Sequence, residues 1–391
     1  MKTNAHYSRR VLLKSNRVLW PDGELRPGCV AIEGGRILEL RVASAPGALD
    51  LEDRLLLPGM VDLHGDAFER QWMPRSGVFF PLDVALVDSD RQLLANGITT
   101  AYHGLTVSWE PGLRGIEHGR LMVTALDRIR PVLQCDTRLH LRYELYALNE
   151  TAEILDWIRG GKVHLVGFND HLEMIAAKLD KGAKGAQYAE RSGLTIEAFR
   201  ALLEATRARQ AEVWPAVEAV AQASREGRIP MASHDDESPA MSERFRRIGS
   251  SICEFPLDEA TAQAEQEAGQ EVILGGPNIV RGKSHIRRLG ATETLRRGLG
   301  TVLTSDYYYP ALLHAAFRLV RDGVLPFGAA WALVSSAPAR AAGLEDRGRI
   351  EAGLRADLIV VDDSQESLPR VSMAVVEGRL AHLADPGIWN G

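Results

Sequence analysis

The residues of this chain best suited to chemistry are His64 and Asp66, which lie two positions apart at the end of the apolar run 58–63. On a β-strand, residues i and i+2 point to the same face, so these two side chains can reach one metal ion. A single pair of this kind is common by chance. It gains weight here because four further apolar segments also end in histidine, aspartate or glutamate.

These strand ends supply imidazole and carboxylate groups, a mixture that suits zinc, manganese or iron better than magnesium or calcium. Taken alone, each residue has a structural explanation, because an aspartate after a strand often forms a turn or caps a helix. Repetition of the pattern favours a metal site instead, with one or two ions. The residues at the four further ends are Glu144, Asp170, His171, His234, Asp235, Asp236 and Asp306.

Alternating strand-like and helix-like segments over residues 58–343 must position these side chains. Such alternation predicts an α/β fold, a (β/α)8 barrel of the TIM type, in which the carboxyl ends of all strands meet at one face. An open doubly wound sheet would alternate in the same way, but no Gly-x-Gly-x-x-Gly or Walker A pattern supports a nucleotide-binding sheet. The predicted strands are 61–64, 99–105, 139–145, 163–169, 229–233, 251–257, 271–275 and 300–305.

Helical patterns are predicted over 88–96, 119–130, 151–159 and 195–225, with a break expected at Pro215. Among the other histidines, His103 ends its predicted strand and should face the metal site. His140 and His164 begin theirs and should lie at the opposite end of the barrel.

The two chain ends differ from the middle, because short strand-like runs alternate there with turn residues. Residues 1–57 and 344–391 are therefore predicted to form one small β-sandwich, and residues 58–343 the catalytic barrel.

Composition excludes several classes of protein. The net charge is -6 and no basic run occurs, so no nucleic-acid partner is expected. No apolar run is long enough to span a membrane, and the stretch after Arg9-Arg10 is interrupted at once by Lys14, so no signal segment is predicted. The three cysteines are far apart and odd in number, which indicates a reducing, cytoplasmic location.

Two motifs resemble the amidohydrolase superfamily: 58–64 at the first predicted strand, and 353–360, where the chain returns to the terminal sheet. Within the superfamily the chain is most similar to diphosphatases of phosphonate degradation by the carbon–phosphorus lyase pathway. That resemblance rests on 64–69, 73–75, 97–100, 139–144, 233–236, 276–285 and 305–307. It implies that the metal ligands are His64, Asp66, Glu144, His171, His234 and Asp306, with Glu144 as a candidate bridge between two ions.

The resemblance implies a metal-dependent hydrolase that cleaves pyrophosphate from a small substrate, a ribosyl alkylphosphonate 5-triphosphate. Metal-activated water would attack, with Asp306 as the general base. Phosphate-binding candidates are Arg142, Arg281, Lys283 and His285, with Arg75 as a further one. The chain departs from that subfamily at 172–174 and 307–309, where a substrate would lie.

Two alternatives remain open at this point. The same ligands serve amidases and deaminases that cleave C–N bonds, and a relative that has lost activity would be a scaffold. A homodimer is the assembly to test, because barrels with terminal sandwiches often pair.

Overall fold

The structure is a computed structural model, and it describes residues 10–42, 46–75, 77–180, 183–282, 290–365 and 367–387. The described chain begins with strands that do not belong to the barrel. They are β1 (Val11–Leu19), β2 (Leu25–Glu33), β3 (Arg36–Arg41), β4 (Leu49–Asp50) and β5 (Leu55–Pro58).

Eight parallel strands then form the barrel, each paired with the next along the chain. They are β6 (Met60–Gly65), β7 (Ile98–Val107), β8 (Asp136–Glu144), β9 (Leu165–Asn169), β10 (Met231–His234), β11 (Ile252–Glu254), β12 (Glu271–Gly275) and β13 (Val302–Thr304). A bridge between Gly65 and Asp306 joins the last strand to the first. There the Asp306 amide donates to the His64 carbonyl at 2.9 Å, and the Asp66 amide donates to the Asp306 carbonyl at 3.0 Å. The predicted (β/α)8 barrel is confirmed.

Helices surround the barrel and connect its strands. They are α1 (Phe68–Trp72), α2 (Leu82–Ala95), α3 (Ile116–Ile129), α4 (Thr151–Arg159), α5 (Leu172–Leu179), α6 (Ala183–Arg191), α7 (Ile196–Arg207), α8 (Gln210–Glu226), α9 (Pro239–Arg247), α10 (Glu259–Glu267), α11 (Gly276–Arg281), α12 (Ala291–Arg296), α13 (Pro310–Arg321), α14 (Phe327–Ala332) and α15 (Ser336–Ala341). Among the described residues, none of these helices has the length and apolar character needed to cross a membrane.

The break predicted at Pro215 lies elsewhere. Helix α7 ends before Ala208 and α8 begins after Arg209, so Pro215 lies inside α8. Pro215 is the sixth residue of α8, so it removes one helical hydrogen bond, and the helix continues past it. The sequence pattern therefore placed the break about two turns too late.

A second sheet is built from both chain ends, as predicted. Its C-terminal strands are β14 (Leu358–Asp362), β15 (Arg370–Val376) and β16 (Arg379–Leu383), and its order is β16-β15-β14-β5-β1-β2-β3, with β4 paired to β1. Along β5 the side chains alternate between two apolar cores. Leu55 and Leu57 contact the barrel core that contains Trp331, while Leu56 joins the core of the terminal sheet itself. The boundaries predicted between the two units stay a prediction.

A buried arginine also ties the barrel to the terminal sheet. Arg347 is 4% exposed and donates to Thr100 Oγ1 at 2.8 Å and to Asp136 Oδ2 at 2.6 Å. Both partners lie near the amino ends of β7 and β8. Its Nη1 is also 3.9 Å from the Asp357 carboxylate, just before β14. Because a buried charge needs partners, this cluster holds the two units in register.

Candidate metal centre

The carboxyl ends of the barrel strands bring the six predicted metal ligands around one cavity. Each residue lies within two positions of the carboxyl end of a strand, which is the region from which barrel side chains converge. The six residues are His64, Asp66, Glu144, His171, His234 and Asp306.

Three groups of donor atoms lie close enough to share a cation. In each group one ligand atom per residue lies within 4.8 Å of the others. The first two groups line the cavity and the third lies beneath it, sharing His64 with the first. The groups are His64 with Asp66 and Asp306; His171 with His234 and Asp235; and His64 with His140 and Glu254. Two neighbouring groups that open into one cavity could hold two ions.

The backbone turns sharply where three of the strands end. Asp235, Phe255 and Asp306 have φ angles of 56°, 56° and 55°, in the left-handed region that residues other than glycine rarely adopt. Such conformations cost about 1–3 kcal/mol and cluster at functional sites. Here Asp235 and Phe255 follow a barrel strand directly and Asp306 is two residues after one, and all three line the cavity. The turns therefore aim these side chains at the metal groups.

Burial keeps two of the histidine ligands neutral. It lowers the pKa of His64 to about 3, with a further contribution from the Arg142 charge, and it lowers the pKa of His234 well below its ordinary value. The Phe255 ring covers both imidazoles, at centroid distances of 5.1 and 5.3 Å. A neutral imidazole is the form that binds metal, so the surroundings favour ligation.

The carboxylates show the opposite effect. Burial, and next the neighbouring charge of Asp66, raise the pKa of Asp306 to about 7. Burial also raises the pKa of Glu254. Acidic groups crowded into a buried cavity repel each other unless a cation lies between them.

His171 forms a tight pair with Glu144, whose Oε1 lies 2.5 Å from its Nδ1. Burial opposes the charged imidazole, but the Glu144 and Asp235 carboxylates together outweigh it and the pKa of His171 rises to about 9. The same pairing lowers the pKa of Glu144 against its own burial. Glu144 belongs to none of the three donor groups, so its predicted role as a bridge between two ions stays a prediction.

Several buried polar atoms at the site have no hydrogen-bond partner in the described part of the chain. They include Nδ1 of His234, Nε2 of His140 and Oε1 of Glu254. Leaving such groups unpaired costs about 1–3 kcal/mol each, so they are usually satisfied by protein, water or an ion. These imidazole nitrogens and carboxylate oxygens are of the types that ligate transition metals, and they lie next to several acidic groups. The site therefore fits a divalent cation.

Sequence reasoning missed part of this site. Glu254 ends β11 and lies 3.1 Å from Nδ1 of His64. The rule that located the other ligands, an acidic residue at a strand end, applies to it equally. His140 was expected at the opposite end of the barrel, but β8 begins at Asp136, so His140 lies in mid-strand with its ring 5.1 Å from that of His64.

Two further expectations differ from the structure. His103 was expected to face the metal site, but β7 continues to Val107, and its ring instead contacts Phe68 at 4.9 Å. Asp236 turns away from the cavity and accepts hydrogen bonds from Ser233 and Ser242.

Only one of the predicted phosphate-binding residues is described in the cavity. Arg142 lies in the cavity, 3.2 Å from Asp66 and 3.3 Å from Nε2 of His234. Arg281, at the end of α11, and Arg75 are exposed and are not among the residues that line the cavity. Lys283 and His285 lie outside the described residues. Two arginines that the sequence did not single out, Arg114 and Arg191, line the cavity wall.

Comparison with known proteins agrees with this geometry. A family model described as an amidohydrolase family matches residues 275–382. The chain is 32% identical over 358 residues to the alpha-D-ribose 1-methylphosphonate 5-triphosphate diphosphatase of Escherichia coli (strain K12), covering 89% of this chain and 94% of that protein.

Solved structures with low sequence identity share the fold. N-isopropylammelide isopropylaminohydrolase from Burkholderia multivorans has a TM-score of 0.63 at 17% identity, over 95% of this chain and 98% of that one. N-acetyl-D-glucosamine-6-phosphate deacetylase from Mycobacterium smegmatis has a TM-score of 0.60 at 17% identity, over 95% of this chain and 100% of that one.

Proposed function

The chain belongs to the amidohydrolase family and is a metal-dependent hydrolase, and from this premise we propose that it releases pyrophosphate from a ribosyl alkylphosphonate 5-triphosphate. The observation that carries the proposal is the pair of donor groups that open into one cavity, His64–Asp66–Asp306 and His171–His234–Asp235. The name of the relative from Escherichia coli supports the choice of substrate.

The reaction is the hydrolysis of one acid anhydride. A water oxygen adds to the α-phosphorus, the bond from that phosphorus to the α–β bridging oxygen breaks, and diphosphate leaves. A 5-phosphate remains. Divalent cations bound at the site would lower the pKa of the attacking water and polarise the phosphoryl oxygens.

Asp306 is the general base of this proposal. Its backbone is fixed to both His64 and Asp66 by the hydrogen bonds that close the barrel, so its carboxylate is held among the ligand atoms. From there it can orient a water by a hydrogen bond and accept its proton.

Arg142 is an arginine of the cavity that contacts two of the proposed metal ligands. Its side chain is buried and contacts both Asp66 and His234. A guanidinium at this position can donate to a phosphoryl oxygen that enters the cavity, because its planar fork suits phosphate. Its charge then helps to offset the charge that develops on the reacting phosphoryl group.

The metal is proposed to be zinc, with manganese and iron as the alternatives for a mixed imidazole and carboxylate shell. Elemental analysis of the purified chain identifies the metal and counts the ions. We also propose that the protein is cytoplasmic and forms a homodimer.

The decisive assay supplies the ribosyl methylphosphonate 5-triphosphate to the metal-loaded protein and measures pyrophosphate. We expect one pyrophosphate per substrate, no release after chelation, and recovery when metal is restored. Inorganic phosphate in place of pyrophosphate would contradict the choice of bond. Turnover of amides or amino-substituted rings, with no activity on the triphosphate, would instead favour a C–N hydrolase.

A further inference from the structure

Two arginines on the cavity wall have no role in the metal groups. Arg114 lies in the loop between β7 and α3, and Arg191 is the last residue of α6. Both line the cavity, and their side chains are 22% and 26% exposed. Each side chain is therefore partly exposed where it faces the cavity and is otherwise covered by protein.

Each arginine is fixed by a carboxylate behind it. Nη2 of Arg114 donates to Glu69 at 3.1 Å. Arg191 donates to Glu110, whose side chain is 1% exposed, through Nη2 and through Nε at 3.3 Å. The guanidinium of Arg191 also lies over the Tyr188 ring, 4.6 Å from its centroid. Fixed guanidinium groups lose little side-chain entropy when they bind a ligand.

The loop that carries Arg114 is shaped to receive Arg191. A Cβ on Gly112 would lie 2.2 Å from the carbonyl oxygen of Arg191, and Gly112 has a φ of 89°. Only glycine permits both this approach and this conformation. Ser192 Oγ adds a hydrogen bond to Glu110 at 3.2 Å. The end of α6 is therefore docked on this loop in one position.

Both arginines keep unused donors. Among the described residues, Nε and Nη1 of Arg114 and Nη1 of Arg191 make no hydrogen bond. None of these three atoms is fully buried, so a ligand can reach them. Arg142 already contacts Asp66 and His234, so it serves the phosphoryl group held at the metal groups and not the groups beyond it. The cations available to an anion that extends outward from the metal groups are thus Arg114 and Arg191.

We propose that Arg114 and Arg191, fixed by Glu69 and Glu110, bind the outer phosphoryl groups of the substrate and select a polyphosphate over a monophosphate. The identity of the substrate rests on the proposed function, whereas the recognition of a polyphosphate chain can be tested without turnover. Two fixed guanidinium groups offer bidentate hydrogen bonds to adjacent phosphoryl groups. A monophosphate lacks the adjacent phosphoryl groups that this pair of arginines would bind.

Binding of inorganic tripolyphosphate and inorganic monophosphate to the metal-loaded full chain tests this proposal by calorimetry. Wild type should bind tripolyphosphate more tightly. Arg114→Met and Arg191→Met should each weaken tripolyphosphate by about tenfold to a hundredfold, since a hydrogen bond to a charged group contributes on this scale. Monophosphate affinity should change less than about threefold.

Arg200→Met is the matched control. It removes the same charge from α7, where Arg200 is 48% exposed and pairs with Asp180 at the surface. It should leave both affinities within about twofold. Equal weakening of both phosphates in the cavity variants, no weakening at all, or a wild type without preference for tripolyphosphate would each overturn the proposal.

Arg191→Met leaves the Glu110 carboxylate buried without its partner, and this could unfold the chain. The double variant Glu110→Gln with Arg191→Met removes both charges and should fold with full metal content. It should show the same selective loss of tripolyphosphate binding. If wild type releases no pyrophosphate but its tripolyphosphate binding still depends on the two arginines, the proposed reaction is wrong and the proposed role of Arg114 and Arg191 in anion binding is kept. If the folded variants turn over the triphosphate normally, the role of Arg114 and Arg191 is rejected and the proposed reaction is kept.

Discussion

Replacing Asp306 by asparagine should abolish most activity while making the metal-free protein more stable. The substitution keeps size and shape. The backbone hydrogen bonds of Asp306 to His64 and Asp66 are independent of its side chain, and asparagine tolerates a φ of 55° better than most residues. The barrel should therefore close as before, so the two effects can be assigned to the loss of one carboxylate.

Loss of the general base should lower kcat by about 10²- to 10⁴-fold, or about 3–5 kcal/mol in the activation free energy. The stability effect has the opposite sign. Burial and Asp66 raise the pKa of Asp306 from 3.8 to about 7. At about 1.4 kcal/mol per pH unit, the ionised carboxylate costs the metal-free fold up to about 4 kcal/mol above that pH. Asparagine removes this cost.

The magnitude in temperature follows from chain length. About 2.1 cal/mol/K per residue gives roughly 0.8 kcal/mol/K for unfolding a chain of this size, so 4 kcal/mol corresponds to a gain of up to about 5 °C in Tm. A folded-state pKa raised above the unfolded value destabilises at high pH, and the cost fades as pH falls toward 3.8. The gain should therefore be largest near pH 8 and shrink toward pH 5.

The assays are pyrophosphate release with metal restored, metal content, and thermal unfolding in chelator across that pH range. Asp88→Asn, at an exposed position of α2, is the control and should change kcat and Tm little. A kcat within tenfold of wild type at full metal content would refute Asp306 as the base. A Tm several degrees below wild type without metal would refute the electrostatic argument.

Three further outcomes are expected. Chelation should lower the Tm of wild type by about 5 °C, since a ligand at a thousand times its Kd adds about 4 kcal/mol, and an unchanged Tm would mean that no structural metal was bound. Arg347→Met should cost about 1.5–3 kcal/mol, seen as a fall of about 2–4 °C in Tm, because it removes the buried hydrogen bonds to Thr100 and Asp136 while Arg138 and Arg355 remain beside Asp136 and Asp357. The exposed Arg349→Met should be neutral within about 1 °C, and equal effects would argue against the buried cluster. Glu254→Gln should weaken metal about 10- to 100-fold in competition with a chelator, because Glu254 orients His64, and an unchanged affinity would remove it from the site.

The barrel could be predicted because its signal is distributed along the chain. All eight predicted strands occur in the structure, and the segment 271–275 coincides with β12. Each strand is an apolar run between turn residues, and the alternation with helices repeats often enough for local errors not to matter. The exact ends were less certain. The start of β8 at Asp136 was missed because Asp136 and Arg138 are charged, and only the structure shows Arg347 and Arg355 beside Asp136.

That local error changed the reading of the site. A strand that seemed to begin at Leu139 put His140 at its start, whereas the additional residues place it in mid-strand beside His64. The residues that sequence reasoning found sit at strand ends, where position alone implies convergence. Arg114 and Arg191 come from a loop and a helix end, and nothing local indicates that they meet. Their placement depends on the contact of Gly112 with Arg191, which is a tertiary fact.

The bridge that closes the barrel and the proposed catalytic base are the same residue, and this explains how a short strand can hold a reactive group rigidly. β13 has only three residues, Val302–Thr304, so its carboxyl end has few ladder bonds of its own. Asp62 compensates by accepting hydrogen bonds from the amide of Ser305 at 3.0 Å and from its hydroxyl. The two backbone bonds of Asp306 to β6 then fix the carboxylate relative to His64. Disturbing Asp62 should therefore act mainly on Asp306, one of several groups around the site, so Asp62→Asn should lower kcat more than it lowers metal affinity. An equal loss of both would mean that Asp62 supports the metal groups as a whole and not the base.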